Sequence, residues 1–398
     1  MLNLSYRVSL VAGLAVWLAT AAGVAGELKF REVVIDDAAA DKTCYSVVTA
    51  DVNGDGRNDI VVVTDNRVQW YEAPDWTKHI IIENQTELDN VCIAPFDIDG
   101  DGKVDFGLGA GWTKIGTIQW IRRPTEGHGK WTVHPIGIEQ WTHRMRWADV
   151  LGEGKPQLVV SPLNATDGPG VKLTAFSIPA DPINDRWPST VLDASLNRMH
   201  NHLHLDWNED GVASTLTASQ EGLSLIRRGE GGAFARQRVG SGMTADDPQQ
   251  SGAGEVRVGR FVDGTPFMAT IEPMHGTAVA IYTGPSPLPE GQLAERVVVD
   301  DSLQQGHALW CVDLDGDAGD EVIAGHREPG TGVVRGPGVY VYRSSGTAVG
   351  KWEKVVIDDG GMACEDLLCE DLTGDGQPDI VAVGRKTRNV KLYVNETR

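Results

Sequence analysis

Two sets of residues in this chain have the types and spacing to do chemistry. The first is a run of acidic loops with oxygen side chains at alternate positions: Asp51, Asn53, Asp55 and Asp59; Asp97, Asp99, Asp101 and Asp105; Asp313, Asp315, Asp317 and Glu321; and Asp371, Thr373, Asp375 and Asp379. A tight loop of this kind turns side-chain oxygens toward one centre and adds a carbonyl from its seventh position, which suits a hard cation wanting six to eight oxygens. Calcium fits that description. An EF-hand opens the same way but needs a bidentate Glu at position twelve, where this chain has Val62, Leu108, Ala324 and Ala382. The expected ion is therefore structural calcium in four loops. Related stretches at Asp149, Leu151, Glu153 and Gln157, and around Arg260, lack the acidic set and predict no full site. A further copy keeps Asp206, Asn208 and Asp210 but has Ser214 at the ninth position.

The second set is found by counting back six residues from the start of each loop, which gives Tyr45, Val91, His143, His200, His307 and Glu365. With only ten histidines in the chain, three at one repeat position is not surface scatter. Turns later in the repeats add His275, His326, Arg327 and Arg385, and Arg144, His202, Trp112 and Trp141 stand nearby in sequence. Imidazoles that titrate near neutrality either move protons or bind a transition metal, and arginines hold a carboxylate or an enolate-like oxygen. Such a group suits proton abstraction beside a carbonyl followed by β-elimination. Spacing alone does not divide metal ligand from base.

The elements that must position these residues are short strands. Asp51 to Asp59 is followed by Ile60 to Val63, then Val68 to Tyr71, then Trp76 to Ile82, and the phrase returns from Asp97, Asp149, Asp206, about Arg260, Asp313 and Asp371. Runs of Val, Ile, Trp and Tyr broken by Gly, Pro and Asp read as strands and turns, and no useful helical period interrupts them. Seven units of about four strands each predict an all-β, seven-bladed β-propeller. The last unit stops at a third strand, Leu392 to Asn395, while Lys29 to Asp37 resembles the outer strand Trp352 to Asp359. The N-terminal strand is thus expected to complete the seventh blade and close the ring, which removes an open seam. Within a blade, strands reverse direction. The acidic loops therefore belong at one face, and the histidines at the other.

Residues 1–26 read as a secretory signal, with Arg7 before an apolar stretch and small residues around Ala25 and Gly26; residues 27–398 form the propeller. The expected location is periplasmic or secreted, without a membrane partner once the signal is removed. Lys and Arg number 35 against 56 Asp and Glu, a net charge of −21, which argues against nucleic acid as a partner. Five cysteines leave at least one unpaired in an oxidising compartment; Cys44, Cys92 and Cys364 fall near equivalent repeat positions, with connectivity open. Nothing here fixes an oligomeric state.

The acidic loops resemble the FG-GAP and VCBS repeats of integrin-type and bacterial extracellular propellers. Together with Met274-His-Gly-Thr-Ala278, Gly306-His-Ala-Leu-Trp310 and Gly325-His-Arg-Glu328, they make the chain similar to the propeller domain of the aldos-2-ulose dehydratase family and its bacterial relatives. That resemblance implies removal of water from keto or anhydro sugars with a divalent metal in the propeller. It would make His143, His200, His275, His307 and His326 the metal ligands and base, and Arg327 and Arg385 the holders of substrate oxygens. Propeller-type polysaccharide lyases acting on uronate glycans share the same chemistry. The competing class is a non-catalytic carbohydrate- or protein-binding propeller of the adhesion type.

Overall fold

A computed structural model describes residues 26–125, 129–207, 211–285, 288–332, 336–345 and 350–398. The signal segment lies outside the described residues, as do Asn208 and Asp210. Seven four-stranded antiparallel sheets make up the fold, and the only helical pieces among the described residues are single 3₁₀ turns at Glu230–Gly232 and Pro248–Gln250. The innermost strands of blades one to seven are Cys44–Ala50, Asn90–Phe96, Thr142–Ala148, Met199–Leu205, Glu255–Arg260, Gly306–Val312 and Cys364–Glu370. No described helix is long and apolar enough to cross a membrane.

Burial explains the strand chemistry. Second strands such as Asp59–Thr64 and Asp379–Gly384 are buried at every position, because a neighbouring blade covers each face. They accordingly read as unbroken apolar runs. Outer strands such as Thr77–Glu83 face solvent on one side and mix charged with apolar residues. The core is divided into seven apolar clusters, one for each interface between adjacent blades. Between blades one and two, for example, Val61, Val63 and Ile81 pack against Phe106, Leu108 and Ile121.

The ring closes as the sequence predicts. Phe30–Asp36 pairs antiparallel with Val390–Asn395, from Phe30 opposite Asn395 to Val34 opposite Lys391, and becomes the outer strand of blade seven. Val33 and Ile35 on this strand pack into the cluster that joins blade seven to blade one. Behind it, Asp358 of blade six accepts from Lys391 Nζ at 2.8 Å and from the Tyr393 hydroxyl at 2.9 Å, which pins the closing blade to its neighbour. All five cysteines are free thiols, and four of them are buried.

Candidate functional site

One backbone device organises the mouth. In six blades the pairing of the first strand with the second slips by a residue, and the slip falls at Tyr45, Val91, His143, His200, His307 and Glu365. A β-bulge leaves its extra residue out of the ladder and re-aims the side chain. The position six before each acidic loop is thus the bulged one. Blade five pairs without a slip, from Glu255 opposite Ile271 onward.

The three bulged histidines converge. His143, His200 and His307 are buried, and one ring nitrogen from each lies within 4.8 Å of the others. His200 Nε2 stands 3.2 Å from His307 Nε2. Each Nδ1 is turned to a backbone carbonyl of the next blade round the ring: His143 to His200 O at 3.1 Å, His200 to Gly254 O at 3.0 Å, and His307 to Glu365 O at 2.5 Å. A ring nitrogen that donates to a carbonyl leaves the other as a lone-pair acceptor. The Nε2 acceptors of His200 and His307 therefore face each other, with the His143 ring beside them.

His275 joins them from a turn, with its Nε2 3.0 Å from His200 Nε2. The turn is tight because Gly276 has no Cβ; one added there would lie 2.0 Å from Glu272 O. Gly276 O in turn accepts from Gly306 N at 2.9 Å, which ties the turn to the strand carrying His307. His275 itself is in the left-handed region, at φ 54°, a costly conformation that marks a constrained position. Burial holds all four imidazoles below their ordinary pKa, with Arg144 adding to the effect at His143 and Arg327 at His307. The set is neutral at physiological pH, with its lone pairs available.

A carboxylate stands behind the cluster on either side. Glu255 Oε1 lies 2.9 Å from His200 Nδ1, and the same side chain accepts from Asn201 and faces Arg144 and Arg257 at 3.7 and 4.0 Å. Glu365 lies 3.9 Å from His307 Nε2 and receives Arg327 at 3.1 Å and Arg385 at 2.5 Å. Arg327 also donates to Gln305, and Arg385 lies 5.2 Å from the Tyr45 ring centre. Trp112 and Trp141 meet edge to face at 5.4 Å, with Trp112 5.9 Å from the His143 ring.

The structure thus brings His143, His200, His275 and His307 together, with Arg327 and Arg385 reaching them through Glu365. His326 stays apart: its ring lies 4.9 Å from Tyr340 and its Nδ1 2.9 Å from Glu328 O. His202 also turns away, to Ser161 Oγ at 3.0 Å, because it stands on the regular ladder beyond the bulge. Sequence reasoning missed Glu255. Blade five has no acidic loop to count from, and the only signal was a pair of charged residues, Glu255 and Arg257, inside an inner strand.

At the opposite face the four acidic loops share one backbone arrangement, and two of them also bring three carboxylates together. Asp97, Asp99 and Asp105, and likewise Asp313, Asp315 and Glu321, gather carboxylate oxygens within 4.8 Å. Asp99 Oδ1 and Asp105 Oδ2 are buried without a hydrogen bond, which fits a cation. In all four loops the ninth residue also serves the backbone: Asp105 accepts from Arg123 N at 2.7 Å and Glu321 from Leu314 N at 2.8 Å. Asp59 accepts from Val52 N and Ala73 N, both at 2.9 Å, while Asp379 accepts from Leu372 N, Thr373 N and Asn395 N. Asp51 and Asp371 accept the amides of Gly54, Asp55 and Gly56, and of Gly374, Asp375 and Gly376, just as Asp97 accepts those of Asp101 and Gly102, and Asp313 those of Gly316 and Ala318. Asn53 and Asp55 lie side by side there at 3.2 Å, and Thr373 and Asp375 hold the matching positions. Asp101 and Asp317 accept from Lys103 N and Gly319 N. Blade three keeps the loop without the acid, as Gln157 Oε1 accepts from Val150 N and Leu151 N at 3.1 Å.

Comparison with known proteins agrees with this architecture. The family model for the aldos-2-ulose dehydratase β-propeller domain matches residues 115–285, and that for an FG-GAP-like repeat matches residues 51–108. Aldos-2-ulose dehydratase of Phanerodontia chrysosporium is 27% identical over 233 residues, or 53% of this chain. The match spans 26% of that protein's length. Among solved structures, a chain of the mitotic checkpoint complex aligns at TM-score 0.57 and 10% identity over 97% of this chain and 99% of its own. BBS1N, solved in complex with ARL6DN, aligns at TM-score 0.52 and 13% identity over 93% of this chain and 97% of its own. Both speak to the fold alone. The chain is a seven-bladed β-propeller with FG-GAP-like repeats, related at low identity to the propeller domain of aldos-2-ulose dehydratase.

Proposed function

We propose that this protein is an exported, calcium-stabilised carbon–oxygen lyase that acts on a keto or anhydro sugar or a uronate glycan, with a divalent cation held at the histidine mouth. The observation that carries this reading is the convergence of one ring nitrogen from each of three buried histidines, with the Nε2 atoms of His200 and His307 turned to each other. Neutral acceptors 3.2 Å apart repel one another, and a shared cation turns that repulsion into binding. His143, His200 and His307 would hold it. When bound, such an ion polarises a substrate carbonyl and acidifies the adjacent C–H.

His275 is the most exposed of the four and stands on the turn rather than on a strand, so it is the residue assigned to take the proton. The electron pair left on carbon closes a double bond as the β C–O bond breaks. Arg327 and Arg385, held by Glu365, orient substrate oxygens at the rim. Tyr45, whose phenol is kept protonated by burial, can supply a proton to the leaving oxygen. The basic and apolar start of the chain supports export, and the orphaned carboxylates of blade two support calcium. Relatedness to a dehydratase propeller supports the reaction class.

The test is turnover on a panel of keto sugars, anhydro sugars and uronate polysaccharides, read as ultraviolet absorbance of the new conjugated double bond. His307→Ala should lose both bound metal and turnover, whereas His275→Ala should keep the metal and lose turnover. A flat panel with calcium and zinc or manganese supplied would overturn the reading. It would favour the second one, a carbohydrate-binding propeller, for which the Trp112 and Trp141 pair offers a stacking surface.

A further inference from the structure

Further along the inner strands than the histidines, on the side of the acidic loops, six blades line an open cavity of about 320 Å³. Three arginines line it, Arg144, Arg146 and Arg257, together with Ser46, Asp366 and Trp310. Few of their donors are satisfied. Arg146 Nη1 donates to Asn201 Oδ1 at 2.9 Å, and Arg257 Nη1 to Val256 O at 2.8 Å while its guanidinium lies 4.9 Å from the Trp310 ring centre. Arg144 is 7% exposed; its Nη1 donates to His143 O at 3.1 Å, and its Nη2 has no hydrogen bond. A guanidinium carries five donors, so most of those in this cavity remain to be used.

Charge points the same way. The carboxylates available to the three guanidiniums are Glu255 and Asp366, which leaves positive charge in excess. Asp366 is already engaged by Ser46 Oγ at 2.9 Å and Val47 N at 3.1 Å, and burial raises its pKa. Glu255 lies beyond hydrogen-bond reach of Arg144 and Arg257, at 3.7 and 4.0 Å. Burial, followed by Arg257 and Arg144, lowers the Arg146 pKa to about 9, the signature of a cation short of counter-charge. Buried positive charge without a partner is costly, and an anion of the right shape relieves it.

We propose that this chamber is a binding site for a small organic carboxylate, separate from the histidine mouth and facing the opposite end of the channel. The arginines would fork onto the carboxylate, and Val47, Ile93, Leu367 and the tryptophans would cover its carbon skeleton. A bare phosphate would leave those apolar walls unused. The site does not rest on the lyase reading, since it uses none of the four histidines.

Titration calorimetry of the full chain tests it, with glucuronate as the probe and glucose and inorganic phosphate as the comparison ligands, in the presence of a metal chelator. Glucuronate should bind in preference to both, and Arg146→Gln or Arg257→Gln should each weaken it by about tenfold or more. Arg257→Lys, which keeps the charge and loses the fork, should fall between. Thermal unfolding of each variant checks the fold, and the lysine variant keeps the test open should a glutamine variant not fold. Glucose binding equal to glucuronate, phosphate binding without carboxylate binding, or affinity unmoved by the arginine substitutions would each overturn the proposal. Because turnover is not measured, failure here leaves the lyase reading standing, and the reverse holds.

Discussion

Glu255 offers the sharpest test of the histidine mouth, because it touches the cluster through one atom and no substrate. Its Oε1 lies 2.9 Å from His200 Nδ1 and the side chain is buried. Glu255→Gln keeps the shape and removes the charge. A divalent cation about 2 Å beyond His200 Nε2 would sit roughly 7 Å from the carboxylate, where an effective dielectric near 20 gives an attraction of about 5 kcal/mol. That is the ceiling, roughly a thousandfold or more in affinity; relaxation of the neutral variant brings the expected loss toward the range of about 10- to 100-fold typical of partners behind a metal-bound histidine. Loss of the charge also leaves Arg144 and Arg257 less balanced, which pushes in the same direction. The assay is competition for zinc or manganese against a chromogenic chelator at neutral pH, with thermal unfolding to confirm the fold. Affinity within about threefold of the parent in a folded variant would refute the argument, since Coulomb attraction across that distance cannot vanish in a buried site.

Two further outcomes concern stability. Millimolar calcium should raise the unfolding temperature of the parent, the folded state gaining about 2.7 kcal/mol for each site at which calcium reaches a hundred times the dissociation constant. Asp105→Asn with Glu321→Gln should reduce that increment, and Asp379→Asn should cost about 1–3 kcal/mol even under chelator, as its oxygens hold three amides. Equal calcium responses in the parent and the double variant would sink the assignment of calcium to those two loops. Glu139 sets a pH dependence, for burial raises its pKa from 4.5 to about 7, outweighing a bond from Thr174. The fold favours its protonated form, so this stability is full below pH 4.5 and is lost as pH rises through about 7. Discounted for partial exposure, the loss is about 2 kcal/mol. Glu139→Gln should flatten urea-unfolding stability between pH 5 and 8, and an unchanged slope would count against the assignment.

Most of the fold is legible in the sequence for one physical reason: every blade must bury both faces of its second strand, so each repeats an apolar run after a turn. Asp51 to Val63 and Asp371 to Val383 look alike because they meet the same neighbours in a ring. Even the closing strand is visible, since Phe30–Asp36 must do for blade seven what Trp352–Asp359 does for blade six. The acidic loops were less transparent. A ninth-position carboxylate can accept backbone amides and face a cation at once, as Asp105 and Glu321 are placed to do, and both duties select the same residue; Gln157, which has no charge and keeps the loop, performs the first alone.

The mouth shows where spacing stops being enough. Counting back six residues finds the right layer of every inner strand, yet His200 points to the axis and His202, two residues on, points into its own blade interface. On a regular strand those two would share a face. The bulge at His200 breaks that parity, and a one-residue slip in pairing leaves no mark in composition. The same slip recurs at Tyr45, Val91, His143, His307 and Glu365, so the mouth is lined by residues the ladder does not hold. Their identity is free to vary without unpairing a blade. Blade five, which has no bulge, supplies its imidazole from a turn instead, and its strand contributes Glu255 behind His200. A ring built of equal blades therefore carries an unequal mouth, because the bulged position is released from the packing that makes the blades alike.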